Sequence, residues 1–393
     1  MATRTIWQDL YGFELDMGQT VGSVGLAAHV AALPTYTGAD VGIQGTAVAN
    51  GKFSLPLTDH PNFKSPSASV DTEEARGLSV RHDDEFNVAV SGDPIEFSLP
   101  MLGNAYNVGA MTALLFQSGA EEDSPAGQVD MHRMTGSAYT SADCDNYGYF
   151  TRSIQSASDS DEVDLMIKGG ICSSLTIAGE QGGLLTIEPT IQAANWSQVD
   201  LSGLTTTLAT SFADISPLKY QDATVGIEYS SGNWAEIFVP SISITINTNP
   251  MFNFYNDDAA ASIHLGRMSI EGTISFPWDP GDDNVDKNWV IGKFLDGEPF
   301  RIAWFWGQSG ASVDIDSDYA LGDALMDRYK NDGSGTNPKN FVSVVVNAKV
   351  TDYEVAGDNE LMIEATFQGV KDSTKEAIKL YTLYDDTLYN LSV

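Results

Sequence analysis

The stretch "LTIEPTIQA" at residues 185–193 returns as "LMIEATFQG" at residues 361–369, 176 positions further along the chain. Five residue types recur at identical places in the two stretches: Leu185 and Leu361, Ile187 and Ile363, Glu188 and Glu364, Thr190 and Thr366, Gln192 and Gln368. Polar and apolar residues alternate in both, which is typical of a β-strand with one buried and one wet face. The sequence therefore predicts two similar half-buried strands that lie far apart in the chain.

The same alternation runs through other segments. In "SISITIN" (241–247) isoleucines alternate with serine, threonine and asparagine. Each copy of the repeated stretch also follows a further strand-like segment, "ICSSLTIAG" (171–179) or "FVSVVVNAKV" (341–350). Gly182 and Gly183 separate the first such pair and indicate a hairpin turn. We expect two hairpins in a fold that is mostly β.

Helical patterns are few and short. We predict a helix over 107–119 with Asn107 as its N-cap, a second over 284–297, and a third over 318–333. Three residues of the first helix share one face and should pack on a sheet: Val108, Met111 and Leu115. The sequence thus favours an all-β fold with a few short helices.

The repeat extends backwards from the hairpins. "FSLPM" (97–101) matches "ISFPW" (274–278), and in both places a helical segment and then a hairpin follow. The recurring order of strand, helix and hairpin predicts a duplication, with domains at 1–210 and 211–393. The segment before residue 85 aligns with nothing, and we assign it to an N-terminal arm.

The charge balance is extreme. The chain has 20 basic and 54 acidic residues, a formal net charge of −34. DNA binding depends on Lys and Arg that displace counterions from phosphate, so this surface should repel nucleic acid. Two explanations stay open: a surface that keeps a polyanion from sticking, and adaptation to high salt.

Motifs of known chemistry are missing from the sequence. It contains no phosphate-binding loop, no H-E-x-x-H, no C-x-x-C and no G-x-S-x-G. The five histidines are scattered, and Cys144 and Cys172 are expected to be free thiols. No apolar run is long enough to span a membrane, and no signal peptide is recognisable. We predict no catalytic residues, no metal, no cofactor and no enzyme activity.

Two tryptophans leave a choice of interpretation. Trp304 and Trp306 in "FRIAWFWG" are two positions apart and so share one strand face. That face is either part of a core or interface, which we favour, or a platform for a sugar.

The order of elements resembles the tail tube (major tail) proteins of long-tailed phages and archaeal tailed viruses. Three stretches carry the resemblance: "KGGICSSLTIAGEQGGLLTIEPTIQA", "VPSISITINTNP" followed by "LGRMSIEGTISFPW", and "VSVVVNAKVTDYEVAGDNELMIEATFQGV". The resemblance implies small β-sandwich or half-barrel units that close a ring barrel around passing DNA. Length and repeat resemble members with two fused units, which form rings of three chains.

The resemblance also implies a function and partners. The chain would be a structural virion protein of the viral tail, assembled in the host cytoplasm. Its partners would be other copies of itself in stacked pseudo-sixfold trimers (a homohexamer is the alternative), tail proteins at the tube ends, and double-stranded DNA that passes unbound; no membrane is involved. The candidate lumen-facing residues are Glu188, Thr190, Gln192, Glu364, Thr366, Gln368, Ser243 and Thr245.

Two other functions stay open at this point. One is a glycan-binding β-sandwich of a surface or adhesion protein, and the other is a β-class hydrolase, because a carboxylate pair could be drawn from so many acids.

Overall fold

Antiparallel β-strands and two short helices make up the described chain, which confirms the predicted β-rich fold. The structure is a computed structural model. It describes residues 7–17, 52–54, 57–59, 61, 68–71, 87–90, 94–117, 120–122, 130–135, 144, 146–156, 159–198, 217–230, 233–253, 262–278, 287–307, 340–356, 361–372 and 376–384.

The elements are numbered in chain order. The strands of the first part are β1 (Trp7–Met17), β2 (Lys52–Ser54), β3 (Ala68–Asp71), β4 (Asn87–Val90), β5 (Ile95–Ser98), β6 (Met101–Leu102), β7 (Ala120–Glu122), β8 (Asp130–Thr135), β9 (Asn146–Ser156), β10 (Asp159–Glu180) and β11 (Thr186–Gln198). Those that follow are β12 (Ala223–Ser230), β13 (Asn233–Glu236), β14 (Ser241–Asn247), β15 (Met251–Asn253), β16 (Ser262–His264), β17 (Ser269–Pro277), β18 (Phe300–Gly307), β19 (Asn340–Ala356), β20 (Met362–Gly369) and β21 (Ile378–Tyr384). The helices are α1 (Ala105–Phe116) and α2 (Lys287–Asp296).

Both predicted hairpins are present, and one sheet contains them. Strand β10 pairs with β11, and β19 pairs with β20. Strands β14 and β17 lie between the hairpins, so that the neighbours run β11, β10, β14, β17, β20, β19. The turn of the first hairpin contains Gly182 at a φ of 82°, a value that suits glycine.

Two long strands divide their pairing between neighbours. Strand β10 pairs with β9 along its first part and with β14 along its last seven residues. Strand β19 pairs with β18 and β21 along its first part and with β20 along the rest. The sheet therefore branches, and no closed barrel forms among the described strands. A ring barrel built by several chains stays a prediction.

The described part of the N-terminal region belongs to the chain's own sheet. All eleven residues of β1 pair with β9, and β2 pairs with β1. In the same way β12 pairs with β18 and with β13. Residues 7–17 of the predicted N-terminal arm thus form a strand between β9 and β2.

Helix α1 begins earlier than predicted. Its N-cap is Asn104, whose side-chain Oδ1 accepts a hydrogen bond from the backbone N–H of Asn107 at 2.9 Å, so the prediction of Asn107 as cap was wrong. Val108, Met111 and Leu115 are buried as expected. The rest of the helix is almost entirely buried too, because strands β8, β9, β10, β19 and β21 all contact it.

Helix α2 lies inside the predicted range 284–297. Val290 is buried, the Trp289 ring lies 4.9 Å from that of Phe300, and the Phe294 ring lies 5.2 Å from that of Tyr353. The third predicted helix, 318–333, lies outside the described residues. None of the described helices has the length and apolar character needed to cross a membrane.

The core contains both tryptophans of β18. Trp304 and Trp306 are fully buried, which confirms the core interpretation and removes them as a sugar platform. The Trp304 ring stacks at 6.0 Å on that of Phe367, and Phe367 lies directly opposite Gly272 on β17. The apolar residues of the central strands therefore pack on one side of the sheet and leave the other side polar.

Candidate functional site: the polar face of the sheet

The side of the central sheet opposite the core is a continuous surface of small polar and acidic side chains, which we call the polar face. It spans β11, β10, β14, β17, β20 and β19. Three cross-strand rows define it: Glu188, Thr176, Thr245, Glu271, Gln368 and Lys349; Thr186, Ala178, Ser243, Thr273, Thr366 and Asp352; and Glu180, Ser241, Ser275, Glu364 and Glu354.

Six of the eight candidate lumen-facing residues lie in these rows, and the other two, Thr190 and Gln192, alternate with Glu188 along β11 and so share its side of the sheet. Glu188, Glu364, Thr366 and Gln368 are exposed, and Thr190, Gln192, Ser243 and Thr245 are partly exposed. Two of them make side-chain contacts across strands: Thr245 Oγ1 is 3.0 Å from Thr176 Oγ1, and Gln192 Nε2 donates to Glu96 Oε2 at 2.7 Å. The structure thus brings together residues that are up to 180 positions apart in the chain.

Carboxylates dominate the charge of the polar face. Its strands and the adjoining β5 carry Glu96, Glu180, Glu188, Glu271, Asp352, Glu354 and Glu364. Within the described part of the six strands, Lys349 opposite Gln368 is the one basic residue at a polar-face position. Glu354 lies directly opposite Glu364. Two like charges in such a pair repel each other and destabilise a sheet, unless water and salt screen the repulsion. A phosphate anion would be repelled along the length of this surface.

Sequence reasoning missed several members of the polar face. Thr176, Glu271, Thr273, Asp352 and Glu354 were not nominated, although they alternate along the same strands. The signal was available for Glu271 and Thr273, which alternate with Ile270 and Ile274 in "MSIEGTISFPW". On β19 a β-bulge hides this alternation, because its extra residue shifts the polar-face side chains from odd-numbered positions (Lys349) to even-numbered positions (Asp352 and Glu354).

The two hairpins that contain the repeated stretch share that bulge. In the β10–β11 pair the register shifts between Cys172 and Ser174, and Ser173 Oγ donates to the carbonyl of Thr190 at 3.1 Å. In the β19–β20 pair it shifts between Val350 and Asp352, and Thr351 Oγ1 donates to the carbonyl of Thr366 at 3.2 Å.

The bulges occupy equivalent places, because Thr190 and Thr366 are the same member of the repeated stretch. A second equivalent contact lies near the turns, where the leucine that opens each stretch accepts a backbone hydrogen bond. Gly103 N donates to the Leu185 carbonyl at 2.7 Å, and Trp278 N donates to the Leu361 carbonyl at 2.8 Å. The likeness of the hairpins therefore extends to their irregularities.

One open pocket of about 260 Å³ lies on the polar face. Three of its lining residues are acidic, Asp352, Glu354 and Glu364, and hydroxyl side chains from β14, β17 and β20 line it too. Glu354 and Glu364 face each other across β19 and β20, and they are a carboxylate pair that the hydrolase hypothesis could use. No basic or histidine side chain lines this pocket, so no polarising cation adjoins the pair.

Metal-ligating side chains and thiols are the other groups of the described chain that could carry chemistry. No group of three or more His, Cys, Asp or Glu in metal-binding geometry occurs among the residues that the structure describes. Cys144 and Cys172 are buried free thiols, as predicted. Burial raises the pKa of the Cys172 thiol, which donates to the Ser174 carbonyl. This thiol is therefore protonated and shielded, the opposite of a reactive nucleophile.

Comparison of the chain with protein-family models and with curated proteins gives no match.

Proposed function

We propose that this chain is a structural subunit of the tail tube of a tailed virus. The observation that carries the proposal is the polar face: one uninterrupted sheet surface, six strands wide, that is rich in hydroxyls and carboxylates and has a single lysine. Such a surface suits the wall of a channel that double-stranded DNA must traverse without being held, because phosphate binding requires basic groups. The chain then acts by its shape and charge and performs no chemistry.

The proposal includes two tandem tube units, with the boundary near residue 210. The equivalent bulges support it, and so does the order of neighbouring elements. In the first half a two-stranded sheet (β3–β4), a strand (β5–β6), a helix (α1) and a strand (β9) precede the hairpin; in the second half β15–β16, β17, α2 and β18 do so. Strand β1 pairs with β9 in the first half, and β12 pairs with β18 in the same way in the second half.

Three such chains would close a ring of six units. Stacked rings would form the tube, with DNA inside and other tail proteins at its ends, in the virion. A three-chain ring has 102 formal negative charges, three times 34. Contacts between rings must offset this repulsion by apolar burial and by screening, so we expect tubes to grow better as salt increases.

Imaging and mass measurement test the assembly. We expect negative-stain images of the purified protein to show stacked rings or hollow tubes, and mass photometry to give three chains per ring. Six chains per ring, without a pseudo-sixfold relation inside each chain, would remove the tandem units. Monomers at high protein concentration would remove the tube and favour the glycan-binding alternative.

The channel role predicts a salt-dependent gain of DNA contact. Replacing both Glu188 and Glu364 by lysine should leave assembly intact, because both side chains are exposed. Assembled tubes of this variant should retain a short DNA duplex at low salt, and virions that carry it should eject DNA more slowly. Each lysine that meets a phosphate adds about 0.9 to the slope of log affinity against log salt, so the effect should fade as salt rises.

A matched control separates the polar face from charge alone. Glu236 on β13 and Glu298 beyond α2 are exposed but lie outside the polar face, so the double variant Glu236→Lys, Glu298→Lys adds the same charge change elsewhere. It should retain no more DNA than the unmodified tube. Equal retention by both variants, or none by either, would show that the two repeated glutamates do not face the channel.

A further inference from the structure

Equivalent apolar residues of the two hairpins differ sharply in exposure. Leu185 and Ile177 of the first hairpin are 0% and 1% exposed. Their counterparts in the second hairpin, Leu361 and Val355, are 50% and 40% exposed. Ile177 pairs with Ile187, and Val355 pairs with Ile363. Because Ile187 and Ile363 occupy the same place in the repeated stretch, Ile177 and Val355 are equivalent residues. Other residues of the chain therefore cover the first hairpin, and the second hairpin lacks an equivalent cover.

Residues just ahead of β12 cover the first hairpin. Leu185 N donates to the Leu218 carbonyl at 2.8 Å, and Tyr220 N donates to the Gly183 carbonyl at 3.1 Å. The Tyr220 ring lies over Gly179 so closely that a Cβ there would come within 2.5 Å of it. The Tyr220 hydroxyl donates to the Val239 carbonyl at 2.5 Å, which ties the cover to the chain that enters β14.

The free edge of the first hairpin is covered as well. Strand β14 pairs along β10 from Ser174 to Glu180, and Gln181 N donates to the Pro240 carbonyl at 2.8 Å. The equivalent part of β19, residues 349–356, pairs with β20 on one side. No described strand lies on its other side, because the pairing with β18 ends at Ala348. Among the described residues, the second hairpin therefore has an edge with no neighbouring strand, beside its two exposed apolar residues.

The similarity between the two halves of the chain indicates which residues could cover the second hairpin. Strand β12 pairs with β18 as β1 pairs with β9, and the registers place Tyr220 at the position of Trp7. The sequence agrees, because Tyr220-Gln-Asp matches Trp7-Gln-Asp. The counterpart of Leu218–Tyr220 is thus residues 5–7, which end at Trp7, the first residue of β1. In its own chain β1, which begins at Trp7, pairs with β9 and β2.

We propose that a second copy of this chain covers the second hairpin. Residues 5–7 of the second copy would lie on Leu361 and Val355 of the first copy. The part of the second copy that follows β2 would lie along the edge of β19 of the first copy. This inference rests on the proposed function and specifies how one chain of the ring meets the next. The contact repeats, between chains, the one that the first hairpin makes within the chain. The half-exposed apolar pair and the open edge, both aggregation hazards on a single chain, are then buried together.

Cross-linking between two single variants tests the contact directly. Leu185 is hydrogen-bonded to Leu218, so the equivalent interchain pair is Leu361 and Thr5. We would mix the Thr5→Cys and Leu361→Cys variants under assembly conditions, oxidise them, and run a non-reducing gel. The two native thiols are buried and give little background. A covalent dimer that needs both variants supports the proposal, since each chain has only one added thiol.

Substitution tests the same surface without an oxidant. Val355→Lys places a charge in the proposed contact and should reduce the fraction of chains in rings roughly tenfold or more, because burying an unpaired ammonium costs more than the 1.4 kcal/mol equal to a factor of ten. Leu295→Lys is the control, since Leu295 is 73% exposed at the end of α2. Both variants should keep the melting temperature of the isolated chain.

The outcomes separate this inference from the proposed function. If the unmodified protein forms rings, and Val355→Lys forms them equally well with no covalent dimer in the mixture, the inference is overturned while the tube stands. If the unmodified protein forms no rings or tubes, both fall. Loss of rings in Val355→Lys but not in Leu295→Lys supports the contact.

Discussion

Replacing Gly272 by valine is expected to unfold or severely destabilise the protein. Gly272 on β17 lies directly opposite Phe367, and a Cβ there would come within 2.2 Å of the Phe367 ring. The ring cannot move aside easily, because it stacks on the fully buried Trp304. Overpacking a well-packed core costs about 1–3 kcal/mol and occasionally more, and we expect the upper end here because valine adds three carbons where even one has no room.

Thermal unfolding measures this effect, with a second glycine as control. Gly292 lies inside α2, and a Cβ there would meet nothing within 4 Å. Gly292→Ala should therefore leave the melting temperature unchanged or raise it, because alanine favours a helix over glycine by about 1 kcal/mol. Gly272→Val should lower it by many degrees or yield insoluble protein. Equal melting temperatures for the two variants would contradict the close packing.

Removal of Arg301 is expected to have the second large effect. Its guanidinium forms a two-point ion pair with Glu228, from Nε to Oε2 at 2.7 Å and from Nη2 to Oε1 at 2.6 Å. Arg301 also lies over the Trp234 ring, 5.1 Å from its centroid. The Glu228 side chain is 4% exposed, so Arg301→Ala would remove the guanidinium partner of its carboxylate without giving the carboxylate water in exchange. Breaking a buried pair in this way costs about 3–5 kcal/mol.

Two comparisons show whether burial is the cause. Lys293 and Glu298 form an ion pair at 3.0 Å in which Glu298 is 63% exposed, so Lys293→Ala should cost less than about 1 kcal/mol. Replacing Glu228 and Arg301 together by leucine and methionine should restore much of the stability lost by Arg301→Ala, because no buried charge then remains. If Arg301→Ala and Lys293→Ala melt alike, the pair is not effectively buried.

Local sequence signals identified strands, hairpins and faces well. The alternation in 185–193, 241–247 and 361–369 correctly separated buried isoleucines from polar residues. All eight nominated residues consequently share one face of the sheet, although its position in a channel is a proposal. Side-chain period two is a property of each strand alone, so no tertiary information was needed.

Helix ends and helix burial were less accessible. The prediction of a cap at Asn107 chose the wrong one of two asparagines, three positions apart, either of which suits an N-cap. Only the fold shows that α1 is enclosed by strands from both halves of the chain, since the pattern of its residues suggested one packed face. A helix that is buried on many sides has no polar stripe, so its sequence does not indicate which side faces which neighbour.

By itself, the sequence determined which segments are strands, which of their faces is wet, that this face is acidic, and that one hairpin is written twice. The tertiary structure alone decided that β14 and β17 join the hairpins into one sheet, that β1 belongs to that sheet, and that no described strand lies along one edge of the second hairpin. The physical reason is the range of the interactions. Alternation is local, whereas the choice of a strand's neighbour depends on hydrogen bonds between segments that lie up to 254 residues apart, as Asp130 and Tyr384 do. For such distant segments every polar backbone edge is chemically alike.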